Sequence, residues 1–182
     1  MIDCGVPISK IRKKLYKIRT LIVTHNHSDH INSKTYQTIR KQFPRIKTIG
    51  NYEVHQIHGV DIIANAGIEI KRGKIVYLPF EAPHDVLNYG YVWTVDGERI
   101  IYATDLWTME NAPEGPFDWF FIESNHDEKK IEQVMDKRAY GYDSWRAAKR
   151  HLSTQAAKGF YYTNRRNKDS KFIELHKSSK FY

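Results

Sequence analysis

Cysteine is nearly absent: Cys4 is the only one in a chain of 182 residues. A single thiol allows no internal disulfide and cannot build a thiolate zinc centre, so any metal here must be held by histidine and carboxylate. Long apolar runs are missing too. No stretch approaches the roughly 20 residues that cross a bilayer, and no basic segment followed by an apolar signal core stands at the N-terminus. The expectation is a cytoplasmic protein with no membrane partner. Internal repeats and low-complexity linkers are also lacking, which leaves one folded domain over residues 1–182.

What is present is the composition of a folded protein, with 41% hydrophobic residues, 12 Tyr, 8 Phe and 4 Trp. The formal charge is +8. Basic residues gather at 10–19 and again at 158–180, a pattern that favours a nucleic-acid or nucleotide partner and that a merely solvated basic surface would also show. Aromatic side chains near cations, as in Gly159-Phe160-Tyr161-Tyr162 before Arg165-Arg166, could stack on bases; packing roles fit them as well.

Periodicity predicts alternating strands and helices. Residues 1–5 read as the end of a strand and a turn. A basic amphipathic helix follows over 11–18, with Ser9 as its cap, and then a buried strand over 20–24. A helix from Asn32 or Ser33 reaches Gln42 and is closed by Phe43-Pro44. Strands are expected at 47–50, 68–70 and 75–80, with a short helix at 52–58. Asp96-Gly97 is a strong hairpin signal between strands at 89–95 and 99–104. A strand at 119–123 and helices at 128–138 and 142–150 complete the reading. The fold class is therefore α/β with a mixed sheet arrangement, and its polar clusters fall at strand ends.

The densest of these clusters is Thr24-His25-Asn26-His27-Ser28-Asp29-His30, directly after the strand at 20–24. A tight loop there can aim three imidazoles and a carboxylate at one point, and these donors suit zinc, manganese or iron. One or two histidines would be explained as hydrogen-bonding residues of a polar loop. Three, with Asp29, argue for metal. Further candidates stand in Ala82-Pro83-His84-Asp85, Ala103-Thr104-Asp105-Leu106 and Arg150-His151-Leu152-Ser153.

Taken in order, Ile2-Asp3-Cys4-Gly5, the His25 to His30 motif, His84, Thr104-Asp105 and His151 resemble the metallo-β-lactamase superfamily over nearly the whole chain. The resemblance implies a four-layer αββα sandwich and two divalent metal ions. His25, His27 and His84 would hold one ion and Asp29, His30 and His151 the other, with Asp105 bridging them. A water or hydroxide between the ions would be the nucleophile. True β-lactamases of the superfamily usually lack the histidine after the Asp, so His30 points to the hydrolase and nuclease branches. Glu123-Ser124-Asn125-His126-Asp127 with His151-Leu152-Ser153 looks like the YycJ/WalJ-type exonuclease branch. Asp29, Asp105 and His126 are then the candidate catalytic residues. His126 stands at the site edge and fits equally well as an N-capping turn.

Other residues have plainer readings. Asp85 could orient His84 or sit in a surface turn. Cys4 reads as a small buried residue, and His55, His58 and His176 match no motif position. Relatives normally carry two or more strands before the Ile2-Asp3-Cys4-Gly5 element, so the resemblance implies a sandwich shortened at its N-terminus. The basic C-terminal tail, a second copy in a homodimer, or a chain start assigned too late would each account for the open edge. Three functions remain: a nucleic-acid phosphodiesterase, a hydrolase of small substrates such as cyclic nucleotides or lactones, and a metal- and nucleic-acid-binding protein without catalysis.

Overall fold

The computed structural model describes residues 1–135 and 150–182. Its first half alternates strand and helix: α1 (Ile8–Leu15), β1 (Thr20–Val23), α2 (Ser33–Gln42), β2 (Lys47–Gly50), α3 (Tyr52–His58) and β3 (Ile62–Ile63). Such alternation dictates a parallel sheet, and β1, β2 and β3 pair in that order, with Ile22 opposite Ile49 and Ile49 opposite Ile62. The second half is mostly strand: β4 (Ile70–Arg72), β5 (Ile75–Glu81), β6 (Tyr89–Val95), β7 (Glu98–Ala103), β8 (Trp119–Glu123) and β9 (Lys171–Leu175), with helices α4 (Glu128–Met135) and α5 (Thr154–Asn164) inserted before β9. These six strands form one mixed sheet in sequence order, antiparallel from β4 to β7 and parallel from β7 to β9.

The period-two alternation of the strands sorts their side chains into layers. Leu21 and Val23 of β1 face Leu15, Tyr36, Ile39 and Val54 of the helices, whereas Ile22 between them joins Ile49, Tyr77, Tyr89 and Tyr91 in the space between the sheets. On the far face, Ile101, Ala103, Phe120 and Ile122 pack against Ala157 and Tyr161 of α5. The order of layers is thus helix, sheet, sheet, helix, as the metallo-β-lactamase resemblance implies.

Asp96 and Gly97 both take positive φ, 51° and 82°, as the expected hairpin turn requires. Helix α1 departs from expectation. It begins at Ile8 with Pro7 at the cap, and Ser9 lies inside it and caps nothing. Ile8, Ile11 and Leu15 already form its apolar stripe, and Ile18 packs on the same core from beyond the helix. The strand expected at 68–70 is displaced to Ile70–Arg72, because Gly73, at φ 61°, turns the chain so that Arg72 pairs Ile75. The first residues do not form a regular strand, but Ile2 bridges Ile22 and Cys4 bridges Ile31, both in parallel. Unforeseen are β3, β9 and α5, the last capped by Ser153, whose Oγ accepts from Ala156 N at 3.0 Å. Of the helix expected at 128–138 the structure describes Glu128–Met135; the one expected at 142–150 lies, except for its last residue, outside the described residues.

Candidate metal centre

Five strand ends converge on one site. His25 follows β1 through Thr24, His84 lies three residues beyond β5, Asp105 two beyond β7, Glu123 ends β8, and His176 follows β9. The ligating atoms of His25, His27 and His84 lie within 4.8 Å of one another, as do those of His25, His30 and Asp105 and those of Asp105, Glu123, His151 and His176. His25 and Asp105 are shared, so the three groups form one continuous cluster.

Local structure explains the convergence. Asp3 Oδ1 accepts from Thr24 N at 2.9 Å, and its Oδ2 lies 2.8 Å from His30 Nδ1, which ties the start of the chain to the histidine loop. A Cβ on Gly5 would lie 1.6 Å from the carbonyl oxygen of Asp29, so only glycine lets the Ile2-Asp3-Cys4-Gly5 element pass that loop. Asn88 Nδ2 donates to the carbonyls of Thr104 and Asp105 at 2.8 and 2.7 Å and fixes the turn after β7. Asp3, Asp105 and His176 all take positive φ, of 57°, 55° and 50°. Left-handed backbone at non-glycine residues carries strain, which concentrates at functional sites.

Charge is distributed unevenly. His25 is fully buried, and burial, aided by the neighbouring His30, lowers its pKa to about 2; it is a neutral imidazole, the form that binds a metal. Burial acts against charge on His30 as well, but hydrogen bonds to Asp105 (3.0 Å from Nε2) and Asp3, with the fields of both carboxylates, outweigh it and raise the pKa to about 10. Burial likewise opposes ionisation of Asp105, yet the hydrogen bond and charge of His30 hold its carboxyl well below the ordinary range. Two carboxylates that favour a positive ring this strongly would favour a divalent cation in its place.

Glu123 completes the back of the site and is fully buried. Its Oε1 lies 2.7 Å from Nδ1 of both His151 and His176, while Oε2 accepts from Leu106 N at 3.0 Å and Leu152 N at 3.3 Å. A carboxylate only accepts, so both rings donate an Nδ1 proton to Glu123, which leaves Nε2 as the nitrogen a metal would use. The hydrogen bond to Glu123, against burial and with the help of Asp105, raises the pKa of His176. The donor set fits divalent metal on a second observation. Nδ1 of His84 is buried without a hydrogen-bond partner, an orphan beside two other imidazoles that a cation would satisfy.

The remaining expected residues are placed as follows. Asp29 stays at the rim, its side chain 66% exposed and Oδ2 3.6 Å from His30 Nε2. Asp85 lies 3.1 Å from His84 Nε2 and 3.5 Å from His27 Nε2, with Arg150 3.5 Å away on its other side. His126 is buried, its carbonyl accepting from Thr154 N at 2.8 Å, and it enters none of the three ligand groups. Sequence reasoning sets His176 aside, yet the structure puts its Nδ1 3.3 Å from Asp105 Oδ1, against 3.8 Å for His151. The available signal is the apolar run Phe172, Ile173, Leu175 before it, a histidine at a strand end like His25.

Comparison with known proteins defines the class. The family model described as "Beta-lactamase superfamily domain" matches residues 4–161, and the chain belongs to that superfamily. Its fold is shared by the metallo-beta-lactamase fold protein YhfI from Bacillus subtilis (TM-score 0.68, 16% identity, 98% of this chain and 73% of that one). It is shared too by the short form of human tRNase Z (TM-score 0.66, 14% identity, 98% and 81%). A diphosphatase from the PhnP family superposes with a TM-score of 0.65 at 16% identity, over 99% of this chain and 69% of that one. Over 95 residues the sequence is 36% identical to the hydroxyacylglutathione hydrolase of Buchnera aphidicola, a match spanning 50% of this chain and 37% of that relative's length. The chain is therefore a member of the beta-lactamase superfamily with the metallo-β-lactamase fold.

Proposed function

We propose that this chain is a dinuclear metal-dependent phosphodiesterase acting on nucleic acid, with an exonuclease-like activity of the YycJ/WalJ type. The observation that carries the reading is the continuous cluster in which His25 and Asp105 are each shared between two ligand groups. His25, His27 and His84 would hold one cation. His30, Asp105 and His176 would hold the other, with Asp29 reaching in from the rim and Asp105 placed between the two. We assign His176 rather than His151 to the second cation because the His176 ring lies 6.5 Å from the His30 ring, whereas the His151 ring lies 5.6 Å from that of His84. Two such cations would supply an activated shared water and neutralise charge on the leaving oxygen of a phosphodiester.

The protein's own part is positional. Burial keeps His25 neutral, and Glu123 fixes the tautomers of His151 and His176. Arg150, at the outer side of Asp85, adds a positive charge at the mouth that suits a phosphate. Zinc and manganese both suit nitrogen and oxygen donors of this kind, with iron a further option.

The test is cleavage of end-labelled linear DNA by purified protein with added manganese or zinc, beside Asp105→Ala and an EDTA control. Metal-dependent degradation that disappears in the variant supports the reading. The identity to a hydroxyacylglutathione hydrolase favours a second reading, a small ester or thioester substrate. Turnover of such esters or of bis-p-nitrophenyl phosphate with DNA left intact would establish that reading instead.

A further inference from the structure

Residues 6–47 hold eleven lysines and arginines and one acid, Asp29, which belongs to the histidine loop. Lys10, Arg12, Lys13 and Lys14 of α1 and Lys34, Arg40 and Lys41 of α2 are exposed, away from the apolar stripe that α1 buries. Lys10, Lys13 and Lys14 fall at i, i+3 and i+4 on α1, and Lys17 follows in the turn just beyond the helix, its N–H donating to the Lys14 carbonyl at 3.0 Å. All four are exposed. Among the described residues none of them pairs with a carboxylate; the lysine and arginine ion pairs there involve Lys47, Arg150, Arg166 and Lys177. Like charges three and four residues apart weaken a helix, and α1 has no acid in its first turn to offset them.

Among these lysines in sequence stands Tyr16, 60% exposed. Its ring rests edge-on against Phe43 at 5.2 Å, and the Arg45 guanidinium donates to its carbonyl oxygen, so the residue is anchored while its ring keeps an exposed face. A row of flexible ammonium groups beside an exposed aromatic ring is the combination that binds single-stranded nucleic acid, the cations on phosphates and the ring on a base.

We infer that the lysines of α1 and of the turn that follows it, with Tyr16, are a docking surface for a single strand of nucleic acid, outside the metal site. The inference rests on the phosphodiesterase reading and names where its polymeric substrate is held. It is tested by fluorescence anisotropy of a fluorescein-labelled single-stranded DNA with EDTA present, in a salt series, and by turnover of bis-p-nitrophenyl phosphate with metal. Lys13→Gln/Lys14→Gln/Lys17→Gln should weaken DNA binding about tenfold or more and lower the salt slope by about 2, at about 0.7 per lost phosphate contact. Tyr16→Ala should weaken it about tenfold with the slope unchanged, and the triple Lys→Arg variant should bind as wild type does. Turnover of the small diester should be the same in all. Gln keeps helix propensity close to Lys, and circular dichroism checks that α1 persists. DNA binding equal to wild type in the triple Gln variant would overturn the inference while leaving the phosphodiesterase reading intact; absence of diester turnover in the wild type would overturn that reading while the binding series still decides on the docking surface. Wild-type binding to phosphatidylglycerol–phosphatidylcholine vesicles but not to DNA would replace the assignment with a lipid surface.

Discussion

Glu123 offers the sharpest structural test. Replacing it by Leu removes the acceptor of four hydrogen bonds, from His151 Nδ1, His176 Nδ1, Leu106 N and Leu152 N, in a fully buried place. Leaving a buried donor unpaired costs about 1–3 kcal/mol. The two backbone amides have no route to water, and the two rings keep partial exposure, so the sum comes to about 4–6 kcal/mol. For a chain of this size each kcal/mol moves the melting temperature by about 2–4 °C, which predicts a fall of about 8–24 °C. Glu123→Gln keeps one accepting oxygen and turns an NH2 toward donors, so it should cost about half as much. Both variants should bind metal about 10- to 100-fold more weakly, since the rings lose the partner that orients them. The assays are thermal unfolding of metal-free protein and zinc titration by calorimetry. A Leu variant that melts with the wild type and takes up metal with equal affinity would refute the reasoning.

Other outcomes follow from the same geometry. His176→Ala should lose one of two bound zinc ions by native mass spectrometry, while His151→Ala should keep both and lose turnover; the reverse pattern would return His151 to the second metal. Gly5→Ala drives a Cβ into the Asp29 carbonyl and should displace the His30 loop, costing about 1–3 kcal/mol and weakening metal binding, as unfolding and titration would show. Burial would raise the pKa of Asp61, but hydrogen bonds from Thr48 N and Oγ1, at 2.8 and 2.7 Å, and the Lys47 ammonium outweigh it and lower it. A depressed carboxyl contributes stability above its unfolded pKa of about 3.9 and loses it as pH falls through the lower folded value. The melting-temperature gap between wild type and Asp61→Asn should therefore close on acidification below about pH 4.

The sequence was most legible where chemistry and periodicity coincide. The histidine loop after an apolar β-branched run, and Asp105 after the second arm of an Asp-Gly hairpin, are read from local order alone, and the structure puts both at strand ends in one site. His84, just beyond the apolar run at 75–80, is legible in the same way. The cost of local reading shows in His176 and Glu123. Residues 171–175 carry Lys and Glu among their apolar positions, so β9 gives a weak strand signal at the sheet edge, and the histidine after it loses its context. Glu123 sits in an apolar strand, and only the pairing of β7, β8 and β9 brings its carboxylate beneath two histidines distant in sequence. Helix α5 gives a weak signal because Ala156, Ala157 and Gly159 leave few large apolar residues to mark its buried stripe. The shift of α1 by one turn is of another kind: Ile8, Ile11, Leu15 and Ile18 fit one stripe, and Pro7 rather than Ser9 decides where the helix begins.

The two-metal arrangement is the centre of the account, and diffraction from crystals soaked in zinc tests it most directly. The account predicts two anomalous peaks about 3.5–4 Å apart, with Asp105 between them, one beside His25, His27 and His84 and the other beside His30 and His176. A single peak, or peaks away from Asp105, would contradict it.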